Sequence, residues 1–275
     1  MTYEELWQRL LSVYDAGEAK AVVRYVLDIR FGLTLADVLC GKVTQLSSDN
    51  QAELGKIMKR LEKGEPVQYV LGKADFCGRT LCVAPGVLIP RPETAELCCW
   101  IAEEKRPSAI LDIGTGSGCI AVTLALDMPQ SQVTAWDISD AALHIASCNA
   151  EQTGAHVVFV KQDVLQVEAA QPMWDVIVSN PPYICLGERH DMERNVLDFE
   201  PHLALFVPDE DPLLFYRAIA CYAAKALNPG GRLYFELNPL HAVHARALVS
   251  SLGFRNVEMR DDQFGKLRFL KAIKI

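Results

Sequence analysis

From Ser108 onward, short apolar runs alternate with segments of helical periodicity, and this alternation constrains the chain more than any other feature. The strand-like runs are 109–114, 132–137, 156–163, 174–180, 231–237, 254–260 and 266–273. Helical patterns fill 119–126, 140–152, 212–227 and 241–252 between them. Apolar strands separated by helices predict an α/β fold, a mainly parallel seven-stranded sheet wrapped by helices on both faces. The last two strands are joined by a short turn containing Gly265 and must run antiparallel. Residues 182–210 carry little periodicity, and a loop of that length inside a compact domain is usually functional.

The first third of the chain reads differently. Leu6, Trp7, Leu10 and Leu11, then Val22, Val23, Val26 and Leu27, then the stretch Gln51–Leu61 repeat at helical spacing, the last after a possible cap at Ser48 or Asp49. This predicts a small helical bundle over 1–70, a positioning or binding module with no chemistry of its own. Residues 71–92 are rich in Pro and Gly, and Gly78-Arg79 sits inside a strand-like stretch, so a β-hairpin connector is expected. Arg91-Pro92-Glu93-Thr94 then opens a helix running to about Lys105, with Pro92 in its first turn. The third region, 93–275, carries the α/β pattern.

Composition narrows the function. The chain has 275 residues, with 27 Lys plus Arg against 35 Asp plus Glu, a net charge of −8. Bulk binding to nucleic acid is not expected, because that affinity comes from Lys and Arg neutralising phosphates. No apolar run reaches the ~18 to 20 residues of a membrane helix. The N-terminus lacks the basic and apolar segments of a signal peptide, so a cytoplasmic protein is expected. Nine cysteines with no Cys-x-x-Cys read as reduced, buried thiols. No metal is expected: His241 and His244 are three apart, but neither has a Cys or acidic partner near it in sequence.

The first strand of the α/β region ends in Gly114-Thr115-Gly116-Ser117-Gly118. Alternating glycines let backbone approach a ligand closely, at the strand ends where open α/β sheets bind ligands. The dinucleotide fingerprint requires Gly at 119, where Cys119 stands, and the Walker Lys-Ser/Thr is missing. The second strand ends in Asp137, an acceptor suited to a ribose diol, and the third in Gln162-Asp163-Val164, within reach of an adenine edge.

The fourth strand ends in Asn180-Pro181-Pro182-Tyr183. An isolated Asn-Pro is a turn signal. At the same sheet edge as the glycines it becomes a reactive site. Two prolines stiffen the turn and leave carbonyls as acceptors, Asn180 adds an amide oxygen, and Tyr183 a flat face with a polar tip. Oxygens without a strong base suit a planar –NH2 group whose nitrogen gains positive charge in the transition state.

Together these motifs resemble the class I S-adenosylmethionine-dependent methyltransferases, a Rossmann-like fold. With the flanking Gln68-Tyr69-Val70-Leu71-Gly72, Ala74-Asp75-Phe76-Cys77-Gly78 and Leu88-Ile89-Pro90-Arg91-Pro92-Glu93-Thr94 included, the order of motifs is similar to the HemK/PrmC-type release factor glutamine methyltransferases over nearly the whole chain. Glu200-Pro201-His202 and the spacing Asp261, Gly265, Arg268 are similar too. The resemblance implies methyl transfer from S-adenosylmethionine, leaving S-adenosylhomocysteine, to the amide nitrogen (N5) of the Gly-Gly-Gln glutamine in class-1 peptide chain release factors. It implies cofactor contacts from Gly114, Thr115, Gly116, Ser117, Gly118, Asp137, Asp163, Val164, Asn180 and Phe76. Asn180 and Pro181 would accept the amide hydrogens, Pro182 and Tyr183 would complete the substrate site, and the N-terminal bundle would dock the release factor. Two positions depart from the family pattern: Val164 where a Trp is common, and Glu236-Leu237-Asn238-Pro239 where the fifth strand ends in a Glu-Ile-Gly type sequence.

Other functions remain open on residues alone. The Asn180–Tyr183 chemistry also suits adenine N6 in nucleic acid, against which the net charge of −8 stands. A cofactor-binding scaffold and a small-molecule methyltransferase are the remaining alternatives.

Overall fold

In a computed structural model of the chain, residues 1–103, 109–168 and 171–275 are described. They form two compact units, one of residues 1–73 with 193–199, the other of residues 74–192 with 200–275.

The first unit contains α1 (Tyr3–Gln8), α2 (Ala16–Phe31), α3 (Leu35–Leu39), α4 (Ser48–Leu61) and α5 (Val67–Leu71). Leu6, Leu10, Val23, Val26, Leu27, Leu54, Met58 and Leu61 lie in its buried core, so the apolar spacing read from sequence is the inward stripe of α2 and α4, whereas Leu11 is exposed. The cap of α4 is Ser47, whose side chain accepts from Asn50 N–H, one residue earlier than Ser48. The first helix stops at Gln8, before Leu10 and Leu11 of the expected pattern; residues 9–13 continue as turns.

A hairpin of β1 (Lys73–Phe76) and β2 (Arg79–Cys82) follows, which from Ala74 on belongs to the second unit. Its two turn residues are Cys77 (φ 48°) and Gly78 (φ 71°), both left-handed, as a two-residue turn matched to strand twist requires. The α/β region follows: α6 (Pro92–Ala102), β3 (Ala109–Ile113), α7 (Cys119–Asp127), β4 (Gln132–Asp137), α8 (Asp140–Thr153), β5 (Val157–Lys161) and β6 (Trp174–Ser179). Lys105, the expected end of the helix now seen as α6, and Ser108 lie outside the described residues. Next come β7 (Ile184–Cys185), α9 (Arg194–Phe199), whose residues belong to the first unit, and β8 (Phe206–Val207). The weakly periodic stretch 182–210 is therefore built from short pieces rather than one open loop. The chain ends with α10 (Leu214–Ala226), β9 (Leu227–Glu236), α11 (Ala242–Ser251), β10 (Arg255–Asp261) and β11 (Leu267–Ile273).

The seven-stranded sheet has the order β10-β11-β9-β6-β3-β4-β5. Its first five strands in chain order (β3, β4, β5, β6, β9) are parallel, and β11 runs antiparallel to both β9 and β10. Residue alternation sorts the strands into two cores. Ile177 and Leu111 face α10 and α11 residues such as Tyr216 and Val249, while Val176, Val178 and Ile110 face Leu97, Ile101 and Val122. Strand order reverses between β3 and β6: β4 and β5 follow on one side, and β6 returns on the other. A crevice opens at such a reversal, beyond the carboxyl ends of the strands.

The nine cysteines are all free, but the expected burial is wrong for most of them. Cys98 and Cys185 are buried, whereas Cys40, Cys99 and Cys221 are exposed. Cys98 and Cys99 are adjacent on α6, about 100° apart around the helix, so only one can face the core.

Candidate active site

The site grows from the register of β3 against β6. Ile113 pairs with Ser179, and the Ser179 hydroxyl donates to the Ile113 carbonyl at 2.7 Å. Gly114 and Asn180 therefore leave neighbouring strands at the same level. Gly114 N–H and Thr115 N–H both donate to the Trp136 carbonyl at 2.9 Å, which binds the glycine turn to the end of β4. Gly114, Gly116 and Gly118 all have positive φ. A Cβ at Gly114 or Gly116 would meet nothing within 4 Å, whereas at Gly118 it would come within 2.9 Å of the Ala146 Cβ on α8. The first two glycines face open space, and the third permits helix packing.

Asp137 stands over this turn. Its Oδ2 accepts from Gly116 N–H at 2.9 Å and its Oδ1 from Ser139 N–H at 2.9 Å. Each oxygen retains a lone pair. Beneath the turn, Asp112 is fully buried, and burial pushes its carboxyl up to about 7 despite the hydroxyl of Thr115 donating to Oδ2 at 2.6 Å. Asn149 on α8 anchors the turn from behind: its Nδ2 donates to the Ser117 carbonyl at 2.9 Å.

These elements enclose a cleft of about 390 Å³, of a size suited to a nucleoside-bearing ligand. Of the residues expected to contact a cofactor, Gly114, Thr115, Gly116, Ser117, Asp137, Asp163, Val164 and Asn180 line it, with Pro181 and Pro182. Gly118 is set behind it, against Ala146. The Asp163 carboxylate is held by Leu165 N–H and Gln166 Nε2, each at 2.9 Å. Phe76 does not line the cleft. It is 4% exposed and packed in the core with Leu81, Leu97 and Ile120, because alternation on β1 turns it inward.

At the reactive turn, the Asn180 amide is oriented by a chain of hydrogen bonds. The Thr94 hydroxyl donates to Glu236 Oε2 at 2.6 Å, so it can only accept from Asn180 Nδ2, at 3.2 Å. Asn180 Oδ1 is thereby left as the acceptor. The Tyr183 hydroxyl donates to the other carboxylate oxygen of Glu236, at 3.2 Å, so its polar tip is spent inward and Tyr183 does not line the cleft. Glu236 is completely buried. Burial raises its carboxyl, opposed by the Thr94 hydrogen bond, the Arg268 charge and the Tyr183 hydroxyl.

The other contributors stand in segments already singled out in the sequence, but their pairing is not legible there. Glu200 is 4% exposed and accepts from Arg91 at 2.5 Å and from Ile89 N–H at 3.1 Å, which fixes the segment 86–91 forming one wall. The pairing of Thr94 with Glu236 is invisible to local pattern because they are 142 residues apart. The late acid is Asp262, not Asp261: Asp262 accepts from Arg268 Nε at 3.1 Å while Arg268 Nη1 donates to the Leu237 carbonyl at 3.1 Å. Asp261, the last residue of β10, is exposed, whereas Asp262 is buried. Asn238 also has a role. Its Nδ2 donates to the Tyr183 carbonyl at 3.0 Å and to both Glu188 carboxylate oxygens, at 3.1 and 3.0 Å.

Comparison with known proteins places these features in context. Residues 5–72 match the PrmC N-terminal domain family and residues 95–197 the Methyltransferase small domain family. A release factor glutamine methyltransferase of Bacteroides thetaiotaomicron is 49% identical over 268 residues, 96% of each chain. One of Flavobacterium psychrophilum is 38% identical over 271 residues, covering 96% of this chain and 95% of that one. Among solved structures, a methyltransferase of Pyrococcus furiosus superposes with a TM-score of 0.54 at 19% identity, covering 83% of this chain and 99% of that one. A 16S rRNA N2 G1207 methyltransferase of Thermus thermophilus, solved with AdoMet and guanosine, gives 0.55 at 20% identity over 74% and 50%. These two likenesses concern the fold alone.

Proposed function

This chain belongs to the release factor glutamine methyltransferase family and is an S-adenosylmethionine-dependent protein-glutamine methyltransferase; we propose that its target is the glutamine of the Gly-Gly-Gln motif in class-1 release factors, held by Asn180 and Pro181. The observation that carries this reading is the Glu236–Thr94–Asn180 chain, which leaves Asn180 Oδ1 as an acceptor at the cleft.

The residues around the cleft fit the cofactor. Gly114 and Gly116 leave the space a side chain would fill. Asp137 retains lone pairs for a ribose diol, and Asp163 and Val164 line the wall where an adenine would lie. When bound, S-adenosylmethionine supplies an electrophilic methyl group on a sulfonium.

An amide nitrogen is a poor nucleophile, because its lone pair is delocalised into the carbonyl. Asn180 Oδ1 and the Pro181 carbonyl would each accept one N–H, fixing the –NH2 group in the geometry transfer requires. As the nitrogen gains positive charge, its hydrogens become stronger donors, and the two oxygens bind the transition state more tightly than the ground state. Pro182 restricts the ψ of Pro181 and so holds its carbonyl, while the Thr94 hydroxyl holds the Asn180 amide. Tyr183 acts by bracing the turn through Glu236 and Asn238. Residues 1–70 would dock the release factor, with 71–92 as connector and 93–275 as the catalytic region.

The test is mass analysis of a Gly-Gly-Gln release factor after incubation with enzyme and S-adenosylmethionine. One added methyl on the glutamine is expected, with Asn180→Ala costing about 2 to 3 kcal/mol in kcat/KM. An unmodified release factor, or label transferred to duplex DNA instead, would overturn the reading of the substrate.

A further inference from the structure

The departure at Asn238-Pro239 sits beside a cluster that the methyl transfer does not use. Cys185 ends β7, Glu188 follows in the turn Leu186–Asp191, and His241 stands at the start of α11. One ligand atom from each lies within 4.8 Å of the others. Cys185 Sγ is 3.5 Å from His241 Nε2, which is 3.9 Å from Glu188 Oε1. No sequence spacing announces this set, since Cys185 and His241 are 56 residues apart.

We propose that Cys185, Glu188 and His241 bind a zinc-type divalent ion that fastens the segment after the reactive turn to the end of β9. Tetrahedral zinc with a sulfur at about 2.3 Å and a nitrogen at about 2.0 to 2.1 Å holds those atoms about 3.5 Å apart, and nitrogen and oxygen ligands about 3.4 Å apart. The first edge is already 3.5 Å, the second is 3.9 Å and the sulfur–oxygen edge lies within 4.8 Å, so binding would draw the carboxylate inward. A thiolate, an imidazole and a carboxylate are the mixed set that borderline ions such as Zn²⁺ and Co²⁺ prefer.

Supporting contacts surround each ligand. Glu188 N–H points at the Cys185 sulfur, while the Glu188 carboxylate accepts from Cys185 N–H at 2.9 Å and from Asn238 Nδ2. Ligating groups are characteristically oriented by hydrogen bonds of this kind. Cys185 is 8% exposed, and the Glu188 and His241 side chains are about one quarter exposed, so an ion can enter from solvent and keep a water in the fourth position. On binding, the Cys185 thiol proton leaves to solvent and sulfur donates its lone pair to the metal. Because Tyr183 is two residues from Cys185 and Asn238 holds the Tyr183 carbonyl, the ion would stiffen the turn that orients substrate without touching the reacting atoms.

The full-length enzyme, stripped with chelator, is titrated with Co²⁺ under reducing conditions and followed by absorption. A saturable thiolate-to-cobalt charge-transfer band at about one ion per chain is expected. Cys185→Ser should abolish the band, His241→Gln and Glu188→Gln should weaken binding, and His244→Gln should leave it unchanged. Asn238→Ala should weaken it about 10- to 100-fold by releasing Glu188. Far-ultraviolet circular dichroism establishes that each variant is folded. Should Cys185→Ser unfold, weakened cobalt binding in folded His241→Gln, with His244→Gln unchanged, carries the same conclusion. Absence of a thiolate band in the wild type, or a band that survives Cys185→Ser, would overturn the site.

Discussion

At the scale of single residues, the orientation of one amide decides the chemistry. Asn180 presents its oxygen because Thr94, committed to Glu236, accepts from its nitrogen. Thr94→Val keeps the shape and removes that acceptor. It also strips a donor from a fully buried carboxylate, so a cost of about 1 to 3 kcal/mol is expected. In single-turnover assays the rate of transfer should fall while the affinity for S-adenosylmethionine stays nearly constant, and Thr94→Ser should restore most of the rate. Equal losses in both parameters would mean that Thr94 shapes the cofactor cleft instead. Asp112 makes a separate prediction. Its folded carboxyl lies at about 7 through burial, above the usual ~3.9 of an unfolded Asp. A carboxyl raised by folding favours the native state fully below about pH 4, and that contribution is lost as pH rises through about 7. Denaturant unfolding of the wild type should therefore show stability falling by a few kcal/mol across this window, and Asp112→Asn should flatten the slope.

Among elements, the β3–α7 turn separates two uses of glycine. Gly116 has φ 56° with open space where a Cβ would stand, while Gly118 has φ 79° and its Cβ would strike Ala146 at 2.9 Å. Gly116→Ala should cost about 1 kcal/mol of stability from left-handed strain, together with about tenfold weaker cofactor binding, since the methyl enters the cleft. Gly118→Ala adds overpacking between α7 and α8 and should lose about 2 to 4 kcal/mol in total. Thermal unfolding and calorimetric binding of S-adenosylmethionine, measured on both variants, distinguish these outcomes. Similar stability losses in the two would contradict the division. The alternating glycines were legible in sequence. Which of them faces ligand was not, because that depends on α8 lying behind Gly118.

For the molecule as a whole, no described helix is long and apolar enough to cross a membrane, and the seven-stranded sheet follows the order that a ligand crevice requires. The amino-acid sequence alone determined the main helices, the seven strands of the large sheet and the two turns that meet at the crevice, since 3.6- and 2-residue periodicity, Gly and Pro act locally; the sheet order and the short elements within 182–210 came from the fold. The sequence also carried enough motif to reveal the family. Tertiary structure decided the rest. It turned Phe76 into the core, paired Arg268 with Asp262 in place of Asp261, and drew the Tyr183 hydroxyl to Glu236. It also joined Thr94 to Glu236, Arg91 to Glu200 and Cys185 to His241, across 142, 109 and 56 residues. Those partnerships are hydrogen bonds and close contacts made by single side chains. Their formation depends on where the sheet brings distant strand ends together, and no local periodicity records that.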